Sequence, residues 1–326
     1  MSFNRRKFNR LLLAGTGAVV AAPFVRAQGA WPNKPMRVIV PYAPGGFTDV
    51  MARLVSQHLS TRLGQPVLVE NKPGGGSLIG VDAIAKSQPD GYTFGVVIAA
   101  YAANMTLYQK LPYAQKDLQP VSLIGVSPLV AAVNKDLPYK TAQQMIAFAK
   151  ANPGKISYGS SGNGSAVHLS TELLKMLTGT YMLHIPYRGA APALSDLIGG
   201  HIQLFMDAAS GLIQPIKTGK VQGIGVASDK RLPALPDVPT FIEQGIKGFT
   251  GSTWAGMLAP TGTPPEVIKR VSDEIAQIVK LPDVVSRFET MGVIPSGSGP
   301  QEFDRFIEEE IKKWGNVIKT AKITAD

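Results

Sequence analysis

The chain has 326 residues, 44% of them apolar and 17% charged, with a formal net charge of +10 and no cysteine. That length exceeds what one hydrophobic core usually serves and implies two domains, while the lack of cysteine excludes a disulfide framework, a lipoprotein anchor, an iron–sulfur cluster and a thiol nucleophile. Without Met1–Ala27, 28 Lys and Arg stand against 23 Asp and Glu, a net +5 scattered singly along the chain, which argues against a nucleic-acid partner.

Residues 1–27 carry Arg5, Arg6, Lys7 and Arg10, then an apolar stretch Leu11–Ala22, then a small-residue cleavage site after Ala27, the pattern of an export signal. Its 12 apolar residues are too few for the roughly 20 that span a bilayer. The segment Asn4-Arg5-Arg6-Lys7-Phe8-Asn9-Arg10 is similar to the twin-arginine signal and departs from it at Asn9; general secretion stays open. An exported chain without cysteine fits a periplasm, and the mature protein is expected to be soluble.

Strand-like and helix-like runs then alternate. Arg37–Val40 is an apolar run, followed by Thr48–Leu63 with Met51, Leu54, Val55, Leu59 and Leu63 at helical spacing. The pattern repeats at Val67–Val69 with Ser77–Lys86, and at Thr93–Ala99 with Ala102–Leu107. Val121–Val133 opens a second series, in which Ile156–Tyr158, Met182–Ile185, Ile202–Met206 and Val221–Ala227 read as strands between helices. The proline-stiffened passage Arg231–Pro239 cannot be helix interior and reads as a linker. Beyond it, the strand Thr253–Leu258 and the helices Pro265–Lys280 and Gln301–Ala321 are too strand-poor for a sheet of their own. The expected organisation is a signal at 1–27, a discontinuous first domain at 28–127 and 235–326, and a second domain at 128–234. Each domain is an α/β unit with a mostly parallel sheet flanked by helices.

Two glycine-rich turns, Pro41–Asp49 and Tyr158–Ser165, each join a strand to a helix at the carboxyl end of the strand, where open parallel sheets bind ligands. Small residues admit close backbone approach, and the first turn of the following helix offers unpaired N–H groups under a partial positive charge, so both turns suit an anion. In the first, Gly45 and Gly46 present bare N–H groups, Phe47 either stacks on a ligand or shields the turn, and Thr48 and Asp49 either contact ligand or cap the helix. In the second, Ser160, Ser161, Gly164 and Ser165 offer hydroxyl and amide donors, with His168 read as structural. Tyr187 and Arg188 follow the next strand, where the guanidinium either forks onto a carboxylate or stays solvated. Asp207 ends a strand and points toward the cleft, and Ala100-Tyr101 follows the third strand, with Tyr101 as a wall.

Catalytic signatures are missing. There is no Gly-x-Ser-x-Gly elbow and no Gly-x4-Gly-Lys-Ser/Thr loop, and Pro73–Gly80 has the wrong spacing for a dinucleotide turn. His58, His168, His184 and His201 lack metal-ligand spacing, with only His184 and His201 expected to approach each other. The reading is a protein without cofactor, metal or catalysis.

Trp31-Pro-Asn-Lys-Pro-Met-Arg-Val-Ile-Val-Pro-Tyr-Ala-Pro-Gly-Gly46, Val69-Glu-Asn-Lys-Pro-Gly-Gly-Gly76, Pro89-Asp-Gly-Tyr-Thr93, Pro186-Tyr-Arg-Gly189, Leu235-Pro-Asp-Val-Pro-Thr240 and Trp254-Ala-Gly-Met-Leu-Ala-Pro260 resemble the Bug family of periplasmic receptors of tripartite tricarboxylate transporters. The resemblance covers the whole mature chain. It implies a two-lobed Venus-flytrap fold of the type II periplasmic-binding architecture, a monomer that takes a small carboxylate in the interdomain cleft and delivers it to a membrane permease. It also sets Gly45, Gly46, Thr48 and Asp49 opposite Ser161, Gly164, Ser165 and Asp207. The chain departs from the family at Phe47 and Ala100-Tyr101, and the two aromatics suggest a ring-bearing carboxylate. The rival reading is a ligand sensor of the same fold that feeds a signalling receptor.

Overall fold

The computed structural model describes residues 31–325, so the export-signal reading of Met1–Ala27 lies outside the described residues. The chain builds β1 (Met36–Val40), α1 (Phe47–Leu63), β2 (Val67–Asn71), α2 (Leu78–Ala85), β3 (Thr93–Val97), α3 (Ala100–Leu107) and β4 (Leu118–Asn134). It continues through α4 (Ala142–Ala151), β5 (Ser157–Ser160), α5 (Ala166–Thr178), β6 (Leu183–Pro186), α6 (Ala190–Gly199), β7 (Leu204–Ala208), α7 (Ala209–Lys217) and β8 (Val221–Val226). It ends with β9 (Ser252–Pro260), α8 (Pro265–Ile278), α9 (Pro282–Met291), β10 (Ile294–Pro295) and α10 (Pro300–Thr320). Left-handed glycines stop α1 at Gly64 (φ +69°) and α5 at Gly179 (φ +61°), the conformation that a residue without Cβ adopts at no steric cost.

The strands order as β2-β1-β3-β9-β4-β7-β5-β6, with β8 and β10 also pairing β4. The sheet is mixed. The parallel ladders implied by strand–helix repeats occupy the outer positions, β2-β1-β3 and β7-β5-β6. The centre, where β4 meets β9, β7 and β8, is antiparallel. β4 pairs with β9 from Leu118 to Pro128 and with β7 from Leu129 to Val133, so one continuous strand belongs to both halves of the molecule.

Two large cores lie on either side of that handover. One gathers β1, α1, β3, β9, α8 and α9 around Val38, Met51, Phe94, Met257, Val271 and Phe288. The other gathers β4, α4, β5, α5, β7 and α7 around Val130, Met145, Tyr158, Leu174, Phe205 and Leu212. The chain's return to the first core comes later than the proline-rich passage suggests. Leu235, Val238, Phe241, Ile246 and Phe249 all pack in the second core, because the turns after Pro239 fold back onto β8, where Thr240 bridges Val226. The second crossing is at Gly251–Ser252, directly beside Pro128–Leu129 of β4.

The apolar stripe of α10 packs on the first half. Phe303 and Ile307 join Trp254, Tyr101 and Leu258, and Phe303 lies so close to Gly256 that a Cβ there would come within 2.0 Å of the ring. Further along, Trp314 and Ile318 meet Ala103 and Leu107 of α3 and Leu169 of α5, so this helix touches both halves. Glu310 is buried and accepts both neighbouring indole N–H groups, from Trp254 at 2.9 Å and Trp314 at 2.8 Å, which satisfies a carboxylate that burial alone would penalise.

Candidate functional site

A cavity of about 410 Å³ opens between the two cores. From the first half it is lined by Tyr42, Gly46, Phe47, Thr48, Gly76, Ile98, Ala100, Asn104, Leu107 and Tyr108, and from the second by Ser161, Asn163, Gly164, Ser165, Ala166, Val167, Gly189, Asp207 and Ala208. Leu129 and Thr253, from the two crossings, complete it. The lining contains no Lys, Arg or His. What it contains instead is the start of five helices: Gly46 and Phe47 of α1, Ala100 of α3, Ser165 and Ala166 of α5, Gly189 of α6, and Ala208 at α7. Only α5 carries a side-chain cap among them, Ser165 Oγ accepting from the His168 N–H. The first N–H groups of a helix have no intrahelical acceptor and sit under the positive end of its dipole; in α3 the Tyr101 and Ala102 N–H groups already donate to the Ile98 and Ala99 carbonyls, which leaves α1, α5, α6 and α7 to turn theirs on the cavity.

Asp49 fixes the first turn from behind. Its Oδ2 accepts from the Gly45 N–H and from Arg53 Nε, each at 2.9 Å, and its Oδ1 accepts from Asn71 Nδ2 at 2.9 Å. These bonds, that from Arg53 foremost, hold the carboxyl at a pKa of about 2. With both oxygens engaged, Asp49 lies outside the lining and acts as the turn's anchor. Gly45, at φ +83°, lies in a conformation that favours glycine and spends its N–H on that anchor, so Gly46, Phe47 and Thr48 are left to face the cavity.

The second turn is held by two imidazoles. The Gly164 N–H donates to His168 Nδ1 at 3.2 Å, and His184 Nε2 lies 2.6 Å from Ser160 Oγ. Ser160 is therefore buried beneath the turn and outside the lining, whereas Ser161, Gly164 and Ser165 reach it. The expected approach of His184 and His201 is not what the fold makes. His184 meets His168 instead, because β6 runs beside β5 and α5 packs against both. Burial, and for His168 also the neighbouring imidazole, lowers the pKa values to about 3 for His168 and about 4 for His184.

Asp207 lines the cavity, and burial raises its pKa to about 7 in spite of the bond from the Ala208 N–H. Tyr42 contributes a buried hydroxyl with no hydrogen-bond partner, and burial pushes its pKa up. Asn104 Nδ2 donates to the Gly76 carbonyl at 3.0 Å, tying α3 to a third glycine-rich turn.

Other expected contacts lie elsewhere. Tyr101 is buried among Trp254, Phe303 and Tyr113, its ring stacked on Tyr113 with centroids 6.4 Å apart, so it forms no wall, although Ala100 beside it does. The Tyr187 hydroxyl donates to Asp196 Oδ2 at 2.6 Å and the ring packs on the second core. Arg188 is exposed and outside the lining. Sequence reasoning missed Tyr42, Gly76, Asn104 and Tyr108, although Tyr42 and Gly76 stand in the very segments that carry the family resemblance.

A larger hollow of about 700 Å³ is lined by Gln119, Lys269, Asp273 and Asp304. The two helices that begin there, α8 and α10, start with prolines, which have no N–H to offer. Among the described residues no group of three His, Cys, Asp or Glu side chains could hold a metal ion, and no helix is long and apolar enough to cross a membrane.

Residues 51–323 match the model of the tripartite tricarboxylate transporter family receptor. The chain is 36% identical over 314 residues to the protein BugT of Bordetella pertussis, with 94% of this chain and 96% of that one covered. Among solved structures it is similar to a periplasmic transporter at 40% identity and TM-score 0.82, covering 91% of this chain and 100% of that one. It is also similar to an R. palustris protein solved with adipate, at 34% identity and TM-score 0.82, covering 90% and 99%.

Proposed function

The chain belongs to the receptor family of the tripartite tricarboxylate transporters, and from that membership we propose that it captures a small carboxylate in the cavity between its two cores and hands it to a membrane permease. The observation that carries this reading is the convergence of four helix N-termini, those of α1, α5, α6 and α7, on a cavity without a basic side chain. In a partly buried setting each such terminus is worth about 1 kcal/mol toward an anion. Burial of an apolar ligand body adds to that.

The two cores act as lobes, residues 36–128 with 252–323 and residues 129–251, closing about the paired crossings as a monomer. Export follows from Met1–Ala27, with cleavage after Ala27, and the receptor works in the periplasm without cofactor or catalysis. Of the expected ligand contacts, Gly46, Phe47, Thr48, Ala100, Ser161, Gly164, Ser165 and Asp207 meet the ligand, joined by Tyr42, Asn104 and Tyr108. The aromatic faces of Tyr42, Phe47 and Tyr108 favour a ring-bearing carboxylate over citrate.

Thermal unfolding of residues 28–326 against aliphatic, amino-acid and aromatic carboxylates tests this. A ligand at 100 times its dissociation constant adds about 2.7 kcal/mol, a shift of several degrees. Stabilisation by citrate but not by benzoate-like acids sinks the ring preference. Absence of any shift sinks the anion reading.

A further inference from the structure

We propose that Asp207 takes up a proton as a dicarboxylate enters the cavity and donates it as a hydrogen bond to the ligand's second carboxylate, so that the receptor captures an anion and a proton together. The inference rests on the carboxylate reading above and adds to it a proton taken up with the ligand and the group that carries it.

Asp207 is the acidic side chain of the lining, and no cation accompanies it there. On β4 the residue opposite is Val130, and α7 packs so closely that a Cβ on Gly211 would lie 2.3 Å from Asp207 Oδ2. From the first half the lining brings the phenols of Tyr42 and Tyr108, the Thr48 hydroxyl and the Asn104 amide. From the second half and the crossings it brings Ser161, Ser165, Asn163 and Thr253. None of these is charged at neutral pH. A ligand carboxylate brought to Asp207 therefore meets a carboxylate with no counter-charge between them, and two carboxylates sharing such a site cannot both ionise. The helix N-termini can stabilise one negative charge at each end of a dianion, but the aspartyl group must then be neutral, and a neutral carboxyl has the O–H that an incoming carboxylate can accept from.

The empty site is already poised for this, since burial holds Asp207 at about 7. An arriving anion raises it further, so at pH 8 the group passes from mostly ionised to mostly protonated. The proton comes from the buffer acid, whose conjugate base remains in solution, and the only bond formed is O–H on Asp207. A ligand offering an ammonium would do the reverse and expel the proton.

The test is calorimetric titration of residues 28–326 with adipate at pH 8 in buffers of different ionisation enthalpy. The expected result is an enthalpy that varies with the buffer, with a slope on the order of one proton taken up per ligand, and an affinity that falls by about tenfold per pH unit once the unliganded group is ionised. Asp207→Asn should bind adipate with a buffer-independent enthalpy and an affinity flat from pH 6 to 9. Binding with no buffer dependence in the unaltered protein, proton release, or proton uptake that survives in Asp207→Asn overturns the inference and leaves the carboxylate reading intact. Absence of binding with adipate and with phthalate overturns the inference; the carboxylate reading falls with it only if the thermal panel of monocarboxylates is silent as well.

Discussion

His168 and His184 lie face to face behind the second glycine-rich turn, their ring centroids 3.8 Å apart and their planes 14° from parallel. One accepts the Gly164 N–H and the other meets Ser160 Oγ, so the stacked pair grips the turn at both ends from the side away from the cavity. Glu172 accepts from the Tyr158 hydroxyl and from Lys175 Nζ, the latter at 2.6 Å, and closes the cluster.

The pair should make the protein sensitive to mild acid. Both folded pKa values, about 3 and about 4, lie below the ordinary value of 6.5, so the unfolded chain binds protons first. Their contribution is complete above pH 6.5 and is lost as pH falls toward 4. His168, only 6% exposed, accounts for roughly 3 kcal/mol of that loss by pH 4. Urea denaturation between pH 7 and 4 checks it: the midpoint should fall steadily across this range, and His168→Asn should start lower and fall less.

Asp49→Asn should unsettle the first turn. The substitution leaves one oxygen to serve the three donors that now converge on the carboxylate, from Gly45, Arg53 and Asn71. A cost of about 2–3 kcal/mol is expected, together with weaker ligand binding as α1 loses its alignment. The pKa of about 2 adds a second signature. Because it is depressed, its stabilisation is present above pH 4 and lost as pH falls toward 2, and the variant should lack that limb in an acid titration followed by circular dichroism.

Gly164 and Leu107 form a direct contact between the halves. At φ +71°, Gly164 is in the left-handed region, and a Cβ there would lie 2.2 Å from Leu107 Cδ2. Gly164→Ala is expected to cost about 2–4 kcal/mol, the backbone supplying about 1–2 of it. Leu107→Ala in the same chain should recover the steric part and leave the backbone part, so a double-mutant cycle by urea denaturation should give a favourable coupling. Strict additivity would mean that the two residues do not touch in solution.

Phe47→Ala and Arg188→Ala should separate. Phe47 lines the cavity, whereas Arg188 is exposed and outside it. Loss of the ring should weaken an aromatic carboxylate by about tenfold, as the removal of one stacked side chain does. Arg188→Ala should leave the dissociation constant within about twofold. A large effect at Arg188 in calorimetry would mean that the guanidinium reaches the ligand after all.

The glycine-rich turns were legible in the sequence because their signal is local: small residues, a strand before and a helix after. Alternation likewise located every strand–helix repeat of the outer ladders. β4 was legible from Val121 to Val133 but not at its start, where Pro120 punctuates it as a break would; that proline sits where the register with β9 is irregular, and Pro128, inside the run, where that pairing ends. The second core's claim on Phe241 and Phe249 was hidden for a related reason: a passage rich in proline reads as a connector, and only tertiary packing shows its aromatics meeting edge to face. Among site residues, Tyr101 and Ala100 are neighbours on α3, and helical rotation turns one into the core and the other to the cavity, a choice that the short helix's pattern does not announce. His168 with His184 brings together a helix and a strand 16 positions apart in the chain, beyond the reach of any spacing rule.

Leu129 and Thr253 stand both in the wall of the cavity and at the places where the backbone passes from one half to the other. Those passages are rungs of one hydrogen-bonded ladder, so neither strand can bend there without the other. The wall of the cavity and the joint between the halves are thus one stretch of backbone, with no side chain standing between them.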